Sequence, residues 1–146
     1  MNVRPTEPRD ADAVLALMEG LTRPAVADDP HPQRDAFFAH LGHADAEVFV
    51  VELDGQVAGK RTGPCHTTAE HRTRSVPQAW IPDLLVDPSF RRRGAARALL
   101  DACVAEARRR GCHRLVLESG HHRAEAHRLY DAYGFEHYGR AYALKL

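Results

Sequence analysis

The chain has 146 residues, 44% hydrophobic and 27% charged, and its 20 basic and 20 acidic residues give a formal net charge of zero. This length suits one domain with a buried core, to which we assign residues 1–146. Balanced charge provides no general attraction to nucleic acid or anionic membranes, and no apolar run reaches the ~20 residues of a membrane-spanning helix. The polar start, MNVRPTEPRD, is unlike a secretory signal. We therefore expect a cytoplasmic protein with no nucleic-acid or membrane partner.

The cysteines and histidines do not form a recognisable metal-binding or disulfide pattern. The three cysteines, Cys65, Cys103 and Cys112, are odd in number, widely spaced and without a C-x-x-C pair. The ten histidines are scattered, and none forms an H-x-x-x-H pair on one helix face beside an acid. We expect reduced thiols and no metal.

The first half of the chain predicts a strand, two helices and a hairpin. A helix is indicated by apolar residues at i, i+3, i+4 and i+7, which are Val14, Leu17, Met18 and Leu21, with Asp10 as its N-cap. A shorter helix is predicted over residues 35–41. Asp54 and Gly55 separate two β-prone runs and predict an antiparallel hairpin. The polar, basic residues 60–78 are typical of a loop or an irregular strand extension.

The second half alternates strands and helices. Residues 79–88 predict one strand that ends at Pro88. A long helix follows, with the apolar stripe Ala95, Ala98, Leu99 and Ala102 and with Gly111 at its end. Residues 114–117 predict a strand parallel to the previous one, because a helix crosses between them. A last helix carries Ala126, Leu129, Tyr130 and Tyr133, ends at Gly134 and precedes an extended tail. The order indicates an α/β (mixed α+β) fold with helices on both faces of a mixed sheet.

The informative stretch is the turn that opens the long helix. The first N–H groups of a helix lack internal partners and carry partial positive charge. Gly94 presents no side chain at this point, Ala95 and Ala96 present small ones, and three arginines precede them, at residues 91–93. These features fit a pyrophosphate. Taken alone, the arginines are equally typical of a solvated surface or a nucleic-acid patch.

Two motifs resemble those of the GNAT superfamily of N-acetyltransferases. The run V-D-P-S-F-R-R-R-G-A-A, residues 86–96, resembles their acetyl-CoA signature Arg/Gln-x-x-Gly-x-Gly/Ala, matched by Arg91, Gly94 and Ala96. Residues 118–135, ESGHHRAEAHRLYDAYGF, resemble their closing motif L-Y-x-x-x-G-F. Within it, R-x-x-A-H-R-[FL]-Y, starting at Arg123, is similar to a narrower group that includes the aminoalkylphosphonate N-acetyltransferases.

The resemblance implies a GNAT-like, mostly antiparallel central sheet and an N-acetyltransferase in which a primary amine attacks acetyl-CoA directly. It implies cosubstrate contacts from three strand residues through their backbone, from the arginine-glycine turn, and from Arg123, where many members carry Asn. These residues are Leu84, Leu85, Val86, Arg91, Arg92, Arg93, Gly94, Ala95, Ala96, Arg97 and Arg123.

The same resemblance implies two catalytic residues. Tyr130 would protonate the leaving thiolate, and its alternative is an ordinary core tyrosine. Asp83 would act as base or bind the amine, and its alternative is a hydrogen bonder at a strand edge.

The acceptor expected from the resemblance is a small-molecule amine, and a homodimer is compatible with it. An aminoalkylphosphonate-type acceptor is supported by the narrower motif and by basic residues in the variable loop, Lys60, Arg61, Arg72 and Arg74. The alternatives are a non-catalytic acyl-CoA-binding module and a protein N-terminal or lysine acetyltransferase. A nucleic-acid-binding domain that uses residues 91–93 and 108–110 is disfavoured by zero net charge.

Overall fold

A computed structural model describes residues 1–19, 39, 48–62, 78–137 and 139. Apart from Ala39, which is helical, the predicted helix at residues 35–41 lies outside the described residues. Residues 63–77 of the predicted loop and most of the extended tail lie outside them as well. Within the described ranges, no helix has both the length and the apolar character needed to cross a membrane.

The described elements are six strands and three helices, and the strands form two paired sets. In chain order they are β1 (Asn2–Pro5), α1 (Ala11–Glu19), β2 (Val48–Leu53), β3 (Gln56–Thr62), β4 (Ala79–Ile81), β5 (Asp83–Val86), α2 (Ala95–Arg109), β6 (Leu115–Leu117) and α3 (Ala124–Tyr133). Strands β1, β2, β3 and β5 form an antiparallel sheet in that order, and β4 pairs in parallel with β6. The parallel pairing confirms the prediction made for residues 114–117.

The helices cover both faces of the antiparallel sheet. Successive strand residues point to opposite faces. Val50 packs against Ala11 and Val14 of α1, whereas its neighbour Val51 packs in the cluster that contains Leu99 of α2. The predicted arrangement of helices is therefore confirmed.

Strand β3 extends past the apolar part of the hairpin. The hairpin turn is confirmed, with Asp54 and Gly55 at φ of 52° and 77°. Of the two alternatives for residues 60–78, a strand extension is found at residues 60–62, which belong to β3. The two basic residues there are buried and have partners: Lys60 pairs with Asp83, and the Arg61 guanidinium lies 4.1 Å from the centre of the Phe49 ring.

The strand predicted over residues 79–88 is in fact two strands in different sheets. β4 stays with β6 up to the pair Ile81 and Leu117, whereas β5 pairs with β3. Pro82 separates them, and its ring holds φ at about −65°, away from the roughly −120° of a parallel strand. Beyond Ile81 the chain therefore parts from β6.

The prediction that Asp10 is the N-cap of α1 is wrong. It ends the 3-10 turn Pro8–Asp10, and its carboxylate accepts a hydrogen bond from the backbone N–H of Glu7 at 2.7 Å. Arg4 donates two further hydrogen bonds to it, at 2.7 and 2.9 Å, and also contacts Glu52 of β2. These bonds from Arg4 are the main cause that lowers the pKa of the buried Asp10 carboxyl. The cluster ties β1 to β2 and to the start of α1.

We expect Asp10→Asn to lower the free energy of unfolding by about 2 kcal/mol at neutral pH, the range for hydrogen bonds to charged groups. Because the pKa of Asp10 is lowered in the folded protein, its contribution is present above the unfolded value near 3.9 and is lost as the pH falls further. The difference between variant and wild type should therefore shrink in acid. Denaturant unfolding at several pH values measures this, with exposed Glu19→Gln as control. Equal stability of Asp10→Asn and wild type at pH 7 would contradict the assignment.

Candidate active site

A cleft of about 230 Å³ opens where β5 parts from β6. Residues 81–85 form one wall, residues 117–120 form the other, and His122, Arg123 and Tyr130 complete it. Beneath it, Ile81 packs with Leu100 and Cys103 of α2, and Leu129 and Tyr130 of α3 pack against the same cluster. The site thus draws on two strands that separate and on the helix that follows β6.

The backbone of β5 presents alternate residues to the cleft. The N–H of Asp87 donates to the carbonyl of Ala58 at 2.9 Å, so Asp87 faces β3, and Leu85 two residues earlier does so as well. A Cβ on Gly59 would lie 2.5 Å from the Leu85 carbonyl oxygen, which agrees with that orientation. The N–H and C=O groups of Leu84 and Val86 therefore point away from β3, and Leu84 lines the cleft. Of the three predicted strand contacts, the geometry suits these two.

Asp83 lies on the cleft wall with both carboxylate oxygens held. The N–H of Thr62 donates to Oδ1 at 3.0 Å, and Lys60 Nζ donates to Oδ2 at 3.1 Å. Lys60 also donates to Thr62 Oγ1 at 2.8 Å and is only 2% exposed. This buried ammonium balances the Asp83 charge and fixes the carboxylate. The sequence predicts Lys60 and Arg61 in a basic loop that binds the acceptor. Both residues are buried in β3, which rules out this role for them.

Tyr130 reaches the cleft from α3. Its ring meets Phe135 edge to face at 5.7 Å. Burial raises the pKa of the Tyr130 hydroxyl above its ordinary value, and the Arg123 charge opposes that shift. The phenol is therefore protonated at neutral pH. By contrast, the hydroxyl of Tyr133, one turn later, donates to Asp101 at 2.7 Å and belongs to the α2–α3 contact.

The turn before α2 exposes backbone donors. Arg92 and Gly94 have φ of 63° and 86°, and the first N–H bonded within the helix is that of Ala98, to the Gly94 carbonyl at 3.0 Å. The N–H groups of Ala95, Ala96 and Arg97 are thus left at the helix start for an anion.

The four arginines at residues 91–93 and 97 differ in their surroundings, although all four were predicted to contact the cosubstrate. Arg91 and Arg92 are exposed and lie 3.9 and 4.0 Å from Glu125 at the start of α3. Arg93 is bound to Asp54 of the hairpin at 2.7 Å. Arg97 lies 5.4 Å from the centre of the Tyr133 ring. Arg91 and Arg92 are therefore the side chains that a phosphate group could engage with the smallest rearrangement.

Sequence reasoning missed the cleft residues Glu118, Ser119 and His122. The signal available was their position just after β6, since ligands bind beyond the carboxyl ends of parallel strands. In the described part of the chain, no group of three or more His, Cys, Asp or Glu residues could hold a metal ion.

Comparison with known proteins places this site in a family. The family model described as Acetyltransferase (GNAT) family matches residues 14–135. The Aminoglycoside N(6')-acetyltransferase type 1 of Stenotrophomonas maltophilia is 31% identical over 135 residues, which cover 92% of this chain and 85% of the relative. The Uncharacterized N-acetyltransferase YhfO of Bacillus subtilis is 26% identical over 138 residues, 93% of this chain and 90% of the relative.

Solved structures agree in fold. Aminoglycoside N-acetyltransferase AAC(6')-Iy in complex with CoA is 22% identical with a TM-score of 0.80, covering 99% of this chain and 93% of that one. A transcriptional regulator from Bacillus halodurans has a TM-score of 0.85 at 18% identity, covering 99% of each chain.

The matched residues include the arginine-glycine turn, both cleft walls and α3, so the family assignment covers the whole described site. It confirms the predicted GNAT fold, the acetyltransferase class and acetyl-CoA as cosubstrate. These similarities do not show membership of the narrower aminoalkylphosphonate group, and that prediction stays open. From its sequence and its fold alike, the chain belongs to the acetyltransferase (GNAT) family.

Proposed function

We propose that this protein transfers the acetyl group of acetyl-CoA to a primary amine of a small molecule by direct attack. The observation that carries the proposal is the single cleft shared by Asp83 and Tyr130, one a fixed carboxylate and the other a protonated phenol. Acetyl transfer to an amine needs a group that accepts or steers a proton and a group that donates one. A cytoplasmic location and a homodimer stay predictions.

The cosubstrate would bind along β5 and at the start of α2. The outward backbone groups of Leu84 and Val86 offer hydrogen bonds to its amide-bearing arm, as an added strand would. The free N–H groups of residues 95–97, with Arg91 and Arg92, suit its pyrophosphate. Arg91 and Arg92 would then exchange their loose contacts with Glu125 for the stronger negative charge of the phosphates.

Each cleft residue has one task in the transfer. The Val86 N–H would donate to the thioester oxygen as it gains negative charge during attack. The C–N bond forms and the C–S bond breaks, and Tyr130 gives its proton to the departing sulfur. Asp83 would accept the amine's proton directly or through a water, and Lys60 holds its carboxylate in place. No acyl-enzyme is required.

The acceptor we favour is a small molecule with several amines. Two carboxylates, Asp83 and Glu118, line the cleft, and ammonium groups are their natural partners. The relative that is 31% identical is named for acetylating aminoglycosides. The second candidate, an aminoalkylphosphonate, is favoured by Arg123 on the same cleft but loses the support of Lys60 and Arg61.

An acceptor panel distinguishes these candidates. We expect kcat/KM for aminoglycosides or polyamines to exceed that for aminoethylphosphonate by about tenfold or more, the effect of about one charge-assisted hydrogen bond. Thiol release from acetyl-CoA measures the rates, with the no-acceptor rate as background. Faster turnover of aminoethylphosphonate would select the second candidate. Turnover of peptide amines alone would reject both in favour of a protein acetyltransferase.

Substitution of Gly94 tests the helix-start site. Gly94 and Gly111, at the two ends of α2, have φ of 86° and 70°, so alanine strains both positions. Only Gly94→Ala distorts the turn that would bind the pyrophosphate. We expect it to raise the acetyl-CoA dissociation constant about tenfold, while Gly111→Ala changes stability alone. Calorimetry measures both. Unchanged affinity in a folded Gly94→Ala protein would show that the turn does not bind the cosubstrate.

Two tyrosines on α3 form a matched pair for the acid role. Tyr130→Phe keeps the ring and removes the hydroxyl in the cleft, so we expect kcat to fall about 10²-fold or more while acetyl-CoA affinity is retained. Tyr133→Phe removes the bond to Asp101, so we expect a lower melting temperature and nearly normal kcat. Steady-state kinetics and thermal unfolding measure these effects. A Tyr130→Phe enzyme within about threefold of the wild-type kcat would exclude Tyr130 as the acid, since that is under ~0.7 kcal/mol of barrier.

A further inference from the structure

The Ser119 hydroxyl lies on the cleft wall opposite β5. Strand β6 ends at Leu117, whose partner is Ile81, and continuing that parallel register would set Ser119 beside Asp83. Because the strands part at Pro82, the cleft lies between these two residues instead. Ser119 is therefore a polar residue of the cleft wall across from β5, next to Glu118.

This hydroxyl is buried and lacks a protein partner. Its Oγ is out of contact with solvent and has no hydrogen-bond partner among the residues that the structure describes. A buried hydroxyl without a partner is unfavourable, and most buried polar atoms in proteins are satisfied. An unsatisfied hydroxyl on the wall of a binding cleft is accounted for if a ligand supplies the missing bond.

The cleft around Ser119 has both apolar and acidic lining. Ile81, Leu84 and Leu117 are apolar, and the carboxylates of Asp83 and Glu118 match an ammonium group. A serine hydroxyl is uncharged and both donates and accepts, as does an amide group, so an amide is a suitable partner for it. Serine χ1 has three staggered positions, and we expect Oγ to turn from its buried position toward a bound arm.

We propose that the Ser119 hydroxyl hydrogen-bonds to the amide-bearing arm of acyl-CoA, whose other side is held by the Leu84 and Val86 backbone. This inference rests on the proposed function. It adds a side-chain contact from β6 to the backbone contacts from β5, so that the arm is held from both walls of the opened sheet. Ser119 is then a cosubstrate-binding residue and takes no part in proton transfer.

The test compares Ser119→Thr with Ser119→Val, which have the same shape and differ by the hydroxyl. We expect the valine variant to bind both CoA and acetyl-CoA about three- to tenfold more weakly than the threonine variant. Without ligand, the valine variant should melt no lower than the threonine variant, because the hydroxyl has no protein bond to lose. If neither folds, Ser119→Ala against wild type serves the same comparison, since it removes the hydroxyl without adding volume.

A control separates binding from structure. Thr6 Oγ1 donates to the Val48 carbonyl at 2.7 Å, on elements that do not line the cleft, so Thr6→Val should lower the melting temperature and leave CoA affinity unchanged. Equal CoA affinity of the two Ser119 variants would overturn the proposal, as would an effect confined to the KM of the amine. CoA binding is measured without turnover, so a loss of affinity in a protein that acetylates no amine would support the Ser119 contact while the proposed function failed.

Discussion

Pro82 lies at the point where one extended segment leaves one sheet and joins another. Its ring takes the backbone away from regular strand dihedrals at the point where the pairing of β4 with β6 ends, and Asp83 immediately accepts a hydrogen bond from Thr62 on the far side. The strand edge of β5 is therefore unpaired toward β6, which creates a gap with hydrogen-bonding backbone on one wall. The other features of the site depend on this gap, because the cleft residues face one another only where the strands have parted.

Charge is arranged around the gap in a consistent way. The buried Lys60 balances the Asp83 charge and holds its carboxylate in place, whereas burial raises the pKa of the Tyr130 hydroxyl. A fixed carboxylate and a neutral phenol in one cleft are the two protonation states that acetyl transfer to an amine requires. Arg123 also lines the cleft, and the exposed Arg91 and Arg92 lie at the start of α2, where a phosphate-bearing cosubstrate would need positive charge.

The fold was largely predictable because its signals are local. Asp54-Gly55 defined the hairpin, and Gly94 and Gly134 lie at helix ends with φ of 86° and 105°. Family resemblance identified Tyr130, Asp83 and the arginine turn as candidate site residues. The split at Pro82 and the burial of Lys60 were missed, because each depends on a distant partner: β6 for the first and Asp83 for the second. The sequence around Ser119 gives no local signal, because the role proposed for this residue depends on the separation of β5 from β6.

Amide hydrogen exchange with and without acetyl-CoA tests most directly whether the gap between β5 and β6 is where the cosubstrate binds. The N–H groups of Leu84 and Val86 face the gap, and those of residues 95–97 are unpaired at the start of α2. We predict that acetyl-CoA slows amide exchange at these positions and leaves the exchange rates of the hairpin residues 54–56 unchanged. Protection that spares β5 and the start of α2, or that is equal at the hairpin, would contradict it.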